Sequence, residues 1–236
     1  MTETLGPIKA VLFDKDGTLF SFNETWSVFC VRLLDELVGD DRPLRRKLAE
    51  ACGFDEENNA FLAGSLVVAG AADDLCKTWS DLLDGVSAQE VDLKCQEILK
   101  DLPLAPVGDL SGILKSLQFQ GLRLGVATND LEAGAVIQLK QSATSEYFDF
   151  VCGCDSGFGS KPGSGMVDAF CEKFALQPGD IAFVGDSVHD MECGVNAGVG
   201  LKVGVLTGPA TREELNGHAD VVLGSIAELP DYLSAR

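Results

Sequence analysis

The sequence predicts an α/β protein: a parallel sheet core, interrupted close to its start by a long helical insertion. Three observations carry this. In the second half of the 236-residue chain, short apolar runs alternate with helical stretches of about ten residues, the pattern of successive βαβ units. One more apolar run, Ala10 to Asp14, stands alone before residue 20, and from Asn23 to about Leu102 the apolar residues recur at helical spacing. Polar clusters sit where the apolar runs end, which is where open parallel sheets place ligands.

Taken in order, the first strand is Ala10 to Asp14. The insertion follows, with Trp26, Phe29, Cys30, Leu33, Leu34 and Leu37 on one helical stripe and Leu75, Trp79, Leu82 and Leu83 on another; no convincing strand is expected there. Pro103 and Pro106 break the helical pattern. A helix over Leu110 to Phe119 then leads through Gly121 into "LRLGVAT", and a second, Glu132 to Gln141, leads to "FDFVCGC". Helices Met166 to Phe174 and Met191 to Ala197 precede "LKVGVLTG", with "DIAFVGD" between them. "ADVVLG" is the last strand, and "IAELPDYL" a helical tail. No internal repeat or low-complexity segment is evident.

Composition narrows the function classes. A hydrophobic fraction of 46% supports a full core. The apolar run from Phe61 to Ala72 is too short and interrupted to span a bilayer, and "MTETLGPIKA" lacks the basic and apolar regions of a secretory signal, so a cytoplasmic location is expected. A net charge of −19 argues against nucleic acid and against anionic membranes. It leaves room for a phosphorylated substrate where a metal and one or two cations neutralise the pocket. The eight cysteines (30, 52, 76, 95, 152, 154, 171 and 193) include no CxxC pair, and only His189 and His218 could complete a zinc site, so buried reduced thiols are expected.

Four clusters end the apolar runs. Asp14 and Asp16 lie two apart, about 6.6 Å by strand rise, so both carboxylates can face one ligand; their mutual repulsion at the edge of an apolar strand is costly without a cation. A simple Asp-Gly turn is the plainer reading. Lys15 points the other way and suits packing or salt bridging. Thr128 and Asn129 suit either a helix cap or a phosphate oxygen. Lys161, before Pro162, is notable in a chain poor in cations. Asp186 and Asp190 in "VGDSVHD" read as a helix N-terminus or as ligands of a divalent cation. His189 falls on a different helix face. "GVGLKVG" has the wrong spacing for a dinucleotide fingerprint, and no GxxxxGK[ST] loop occurs.

In this order, Asp14-Lys15-Asp16-Gly17-Thr18, Thr128, Lys161-Pro162 and Gly185-Asp186-Ser187-Val188-His189-Asp190 resemble the motifs of the haloacid dehalogenase superfamily of phosphohydrolases. The resemblance covers about two-thirds of the chain and implies a Rossmann-like parallel-sheet core, residues 1–20 and 105–236. The insertion, 21–104, is similar in position and helicity to the all-helical cap domain of the phosphoglycolate phosphatase-like branch. Gly163, and Lys15 where many relatives have an apolar residue, depart from the common pattern.

By that resemblance, Asp14 is the nucleophile that forms an aspartyl-phosphate, and Asp16 the acid that protonates the leaving alkoxide and then the base that activates water. Mg²⁺ is expected on the carboxylates of Asp14 and Asp186 and the backbone carbonyl of Asp16, with Asp190 supporting its water shell or orienting Lys161. Thr128 and Lys161, with the backbone N–H of Asn129, are expected to bind the phosphoryl oxygens, and Gly17 and Thr18 to shape the exit toward the cap. The presence of Asp16 disfavours dehalogenation, and no cap lysine (Lys47, Lys77, Lys94, Lys100) marks a phosphonatase. The expected activity is Mg²⁺-dependent hydrolysis of a small phosphorylated metabolite, phosphoglycolate first. A sugar phosphomutase is the alternative, and a catalytically silent binding protein a third reading. Phe22, Trp26, Phe61 and Trp79 are candidates for either cap packing or specificity. Nothing in the sequence specifies an oligomeric state.

Overall fold

A computed structural model describes residues 7–62, 65–69 and 72–236; helix expected at 63, 64, 70 and 71 lies outside the described residues. The chain forms two compact units, one made of the residues up to Ser21 and from Pro106 onward, the other of Phe22–Ala105.

The first unit begins with β1 (Ala10–Phe13), every residue of which is buried. The second unit contains α1 (Phe22–Val38), α2 (Arg42–Cys52), β2 (Phe54–Asp55), β3 (Ala60–Phe61), α3 (Leu66–Ala69), α4 (Ala72–Ser80) and α5 (Ala88–Leu99). The first unit resumes with α6 (Leu110–Phe119), β4 (Arg123–Ala127), α7 (Glu132–Gln141), β5 (Phe150–Cys152), α8 (Gly165–Phe174), β6 (Ile181–Gly185), α9 (Val188–Ala197), β7 (Leu201–Val205), α10 (Arg212–Asn216), β8 (Val221–Leu223) and α11 (Leu229–Ser234).

Six strands form one sheet in the order β5-β4-β1-β6-β7-β8, with every neighbouring pair parallel. Ala10, Leu12, Phe150, Ile181 and Phe183 pack with Met166, Val167 and Phe170 of α8 in one buried cluster, so alternate strand residues supply one face of the core. The chain passes from β1 to β4 on one side and from β6 to β7 on the other. The carboxyl ends of β1 and β6 therefore flank the crevice in which such sheets bind ligands.

In the second unit, Phe29, Cys30, Leu33, Leu34, Leu48, Trp79, Val91 and Ile98 belong to one buried cluster. The expected stripes on α1 and α4 are thus its core. Trp79 is fully buried, and its indole N–H donates to the Leu48 carbonyl at 3.0 Å, which makes it a packing residue. Phe22 stacks on Trp26 with centroids 5.9 Å apart and meets Phe61 edge-on at 5.4 Å.

One expectation needs correction: this unit is not wholly helical. β2 and β3 pair antiparallel, Phe54 with Phe61 and Asp55 with Ala60. Asp55 staples the turn, accepting from the backbone N–H of Glu57 and Asn58 at 3.1 and 3.2 Å and from Asn58 Nδ2 at 2.8 Å, and Asn59 adopts φ +49°. Strands of two residues are too short to show alternation, so only the turn residues could have signalled them. All eight cysteines are free, seven of them buried and Cys154 partly exposed. No helix among the described residues is long and apolar enough to cross a membrane.

Candidate active site

The strand ends of the first unit bring the four sequence clusters together. Asp14 follows β1 directly, and its backbone N–H donates to Val184 of β6 at 2.8 Å, so the two strands fix its position. Asp186 follows β6. Asp190 lies on the first turn of α9, inside a reciprocal cap with Ser187: its backbone N–H donates to Ser187 Oγ, and its Oδ2 accepts from the Ser187 N–H at 3.0 Å and hydroxyl at 2.6 Å. The carboxylates of Asp14, Asp186 and Asp190 are all buried, and each offers an oxygen within 4.8 Å of the others.

Lys161 is the cation set against them. Its buried ammonium bonds Asp14 Oδ1 and lies 2.7 Å from Asp190 Oδ1. With Oδ1 on Lys161 and Oδ2 on Ser187, both oxygens of Asp190 are engaged. Asn129 grips Lys161 at its backbone: Oδ1 accepts from the Lys161 N–H at 2.9 Å, and Nδ2 donates to its carbonyl at 3.2 Å. Besides the backbone N–H expected to meet the phosphoryl oxygens, Asn129 thus offers a side chain that positions the lysine. Only the fold could reveal this, because the partners are 32 residues apart. Thr128 is buried, with its N–H on the Cys152 carbonyl at 3.0 Å and its Oγ1 accepting from the Asp130 N–H at 3.1 Å. The hydroxyl therefore acts as a local turn cap and still has a hydrogen to donate.

Gly17 and Gly208 allow the backbone to approach Asp186. A Cβ on Gly17, at φ +83°, would stand 2.3 Å from Asp186 Oδ2, and one on Gly208 would stand 1.7 Å from it. Thr18 Oγ1 donates to Asp186 Oδ1 at 3.4 Å, and Thr207 Oγ1 to the Gly17 carbonyl at 2.6 Å. The motif made Gly17 and Thr18 legible; the part played by Gly208 and Thr207 had no signal in the sequence.

Asp16 departs from the arrangement expected of a strand pair. Its carboxylate does not join Asp14 in the three-carboxylate cluster but bonds the ammonium of Lys15, which also lies 3.0 Å from Asp130 Oδ2. The reason is local: β1 ends at Phe13, and the chain turns at Gly17, so two-residue alternation no longer governs where Asp16 points. Lys15 forms the salt bridges expected of it, from a fully buried position.

The charge balance is uneven. Three buried carboxylates face one ammonium, so like charges and lost hydration both work against ionisation. The Asp14 carboxyl is pushed up from 3.8 to about 7, first by burial and then by Asp190 and Asp16, against the pull of Lys161. Burial, then Asp14 and Asp190, hold Asp186 well above its ordinary value. Burial alone would lower Lys161, but Asp14 and Asp190 outweigh it and raise the ammonium. Asp16 is raised by burial and by Asp130, with Lys15 opposing. Hard oxygen donors carrying surplus negative charge suit a divalent cation such as Mg²⁺, which would restore neutrality.

Sequence comparison gives the same direction. The profile of the haloacid dehalogenase-like hydrolase family matches residues 11–203. The chain is 31% identical over 193 residues to a phosphoglycolate phosphatase of Nitrosospira multiformis, covering 81% of each chain. It is 26% identical over 191 residues to the pyrophosphatase PpaX of Bacillus pumilus, covering 81% of this chain and 80% of that one. A superfamily hydrolase of subfamily IA from Geobacter sulfurreducens superposes with a TM-score of 0.69 at 20% identity, over 99% of this chain and 100% of the other, a likeness of fold.

Proposed function

Because the chain belongs to the haloacid dehalogenase-like hydrolase family, in its phosphoglycolate phosphatase-like branch of phosphoric monoester hydrolases, we propose that it is a cytoplasmic Mg²⁺-dependent phosphatase that cleaves a small phosphorylated metabolite through an aspartyl-phosphate on Asp14. The observation that carries the proposal is the buried trio Asp14, Asp186 and Asp190, with the ammonium of Lys161 on Asp14 and Asp190. A phosphate monoester resists attack because its anionic oxygens repel a nucleophile, so the site must hold positive charge against it.

Asp14, held between β1 and β6, attacks phosphorus in line. Lys161, oriented by Asn129 and Asp190, meets the phosphoryl oxygens together with the Thr128 hydroxyl. Asp16 gives its proton to the departing alkoxide, then takes one from the water that cleaves the aspartyl-phosphate, releasing inorganic phosphate and restoring Asp14. Asp14, Asp186 and the backbone carbonyl of Asp16 would hold Mg²⁺, with Asp190 orienting Lys161. When bound, the ion supplies positive charge to the transferring phosphoryl group. The Phe22–Ala105 unit takes the role of a cap that selects the leaving group. Phosphoglycolate is the first substrate to try, a choice supported by the relative from Nitrosospira multiformis.

The test is phosphate release from a panel of small phosphate monoesters, with and without Mg²⁺, by wild type and Asp14→Asn. Metal-dependent release that is lost in the variant is expected. Isomerisation of a sugar phosphate without net phosphate release would instead assign a phosphomutase, and inactivity in both assays would overturn the catalytic proposal.

A further inference from the structure

Lys15 has no part in the mechanism above, yet its side chain is fully buried. Burying an ammonium is strongly unfavourable unless it is well paired, and an apolar side chain of similar length would fill the space without that penalty. Lys15 is paired twice, to Asp16 beside it and to Asp130 Oδ2 at 3.0 Å. Asp130 comes from the loop after β4 and is itself fixed at the backbone, its N–H on Thr128 Oγ1 at 3.1 Å and its carbonyl accepting from the Cys154 N–H at 3.0 Å. The ammonium thus ties the exit of β1, through Asp16, to the exit of β4, through Asp130, two carboxylates that stand outside the three-aspartate cluster.

We propose that Lys15 and Asp130 are positioning residues for Asp16, an ion-pair clamp that fixes its carboxyl for proton transfer to the leaving group. The inference rests on the phosphatase reading, in which Asp16 carries that proton. A free carboxyl at the end of a strand rotates about two torsions, and small misplacements of a proton donor reduce turnover sharply. Holding Asp16 between a buried cation and a second, anchored acid removes that freedom before substrate arrives.

The dependence of rate on the leaving group separates positioning from mere support of the fold. The two substrates are the alkyl monoester that wild type turns over best and p-nitrophenyl phosphate, whose phenolate departs without protonation. Lys15→Met is expected to lower the first-turnover rate of alcohol release from the alkyl ester, which reads formation of the aspartyl-phosphate apart from its hydrolysis, by about 10²-fold, the low end of what proton transfer supplies, and that of nitrophenolate release by less than about threefold. Asp130→Asn, at a side chain 48% exposed and with an unchanged circular dichroism spectrum as the check on folding, should show the same skew with a loss of about tenfold on the alkyl ester. In an Asp16→Ala background, Lys15→Met should change neither rate by more than about twofold, because the two act through one group. Equal losses on both esters, or none, would overturn the clamp alone. Wild type hydrolysing neither ester would overturn the phosphatase reading, and the clamp with it, before any variant is made.

Discussion

Asp14→Asn should make the metal-free protein more stable while removing its activity. The Asp14 carboxyl is raised from 3.8 to about 7, burial being the main cause. At about 1.4 kcal/mol per pH unit, keeping it ionised in the fold at pH 8 costs about 4 kcal/mol. The direction follows from linkage: a carboxyl raised in the fold contributes its full stability below 3.8 and loses it as pH rises through about 7. Asparagine removes the charge and keeps an oxygen for the Lys161 ammonium. Urea unfolding in EDTA at pH 8 should therefore show the variant more stable by up to about 4 kcal/mol, a gain that fades to under about 1 kcal/mol near pH 4. Added Mg²⁺ should narrow or reverse the gap by stabilising wild type more than the variant. A variant less stable than wild type at pH 8 without metal would refute the claim that surplus buried negative charge defines this site.

The same imbalance predicts that the melting temperature of the metal-free wild type falls between pH 5 and pH 8, as Asp14 ionises, and that saturating Mg²⁺, at about 100 times its Kd, adds about 2.7 kcal/mol; calorimetry across that range checks both. Asn129→Ala removes both side-chain hydrogen bonds to the Lys161 backbone and should lower kcat/KM for phosphate release by about 10- to 100-fold with an unchanged circular dichroism spectrum. Trp79→Phe leaves the Leu48 carbonyl without its indole donor and should cost about 1–3 kcal/mol in urea unfolding while kcat of the folded enzyme stays at the wild-type value.

The sequence by itself determined which residues gather at the strand ends and on what kind of scaffold. The lone first strand, the later alternation of strands and helices and the polar clusters at their ends placed Asp14, Thr128, Lys161, Asp186 and Asp190 correctly at the carboxyl edge of a parallel sheet. Helices α6 and α7 begin and end at the residues their spacing predicts. These features are local, or follow from patterns that repeat along the chain, so periodicity and turn chemistry reveal them. The β2–β3 hairpin escaped because two residues per strand carry no period.

Tertiary structure alone decided what each polar group touches. Asn129 holds a backbone 32 residues away, and Gly208 gives way to the carboxylate of Asp186, just after β6, that a Cβ would strike. Asp16 turns from Asp14 toward Lys15 and Asp130 because the strand ends before it. The lift on Asp14 likewise arises from burial and from charges distant in sequence. Hydrogen-bond partners, close approaches and local electrostatics depend on distances of a few ångströms between segments remote along the chain, and a linear pattern does not carry those distances.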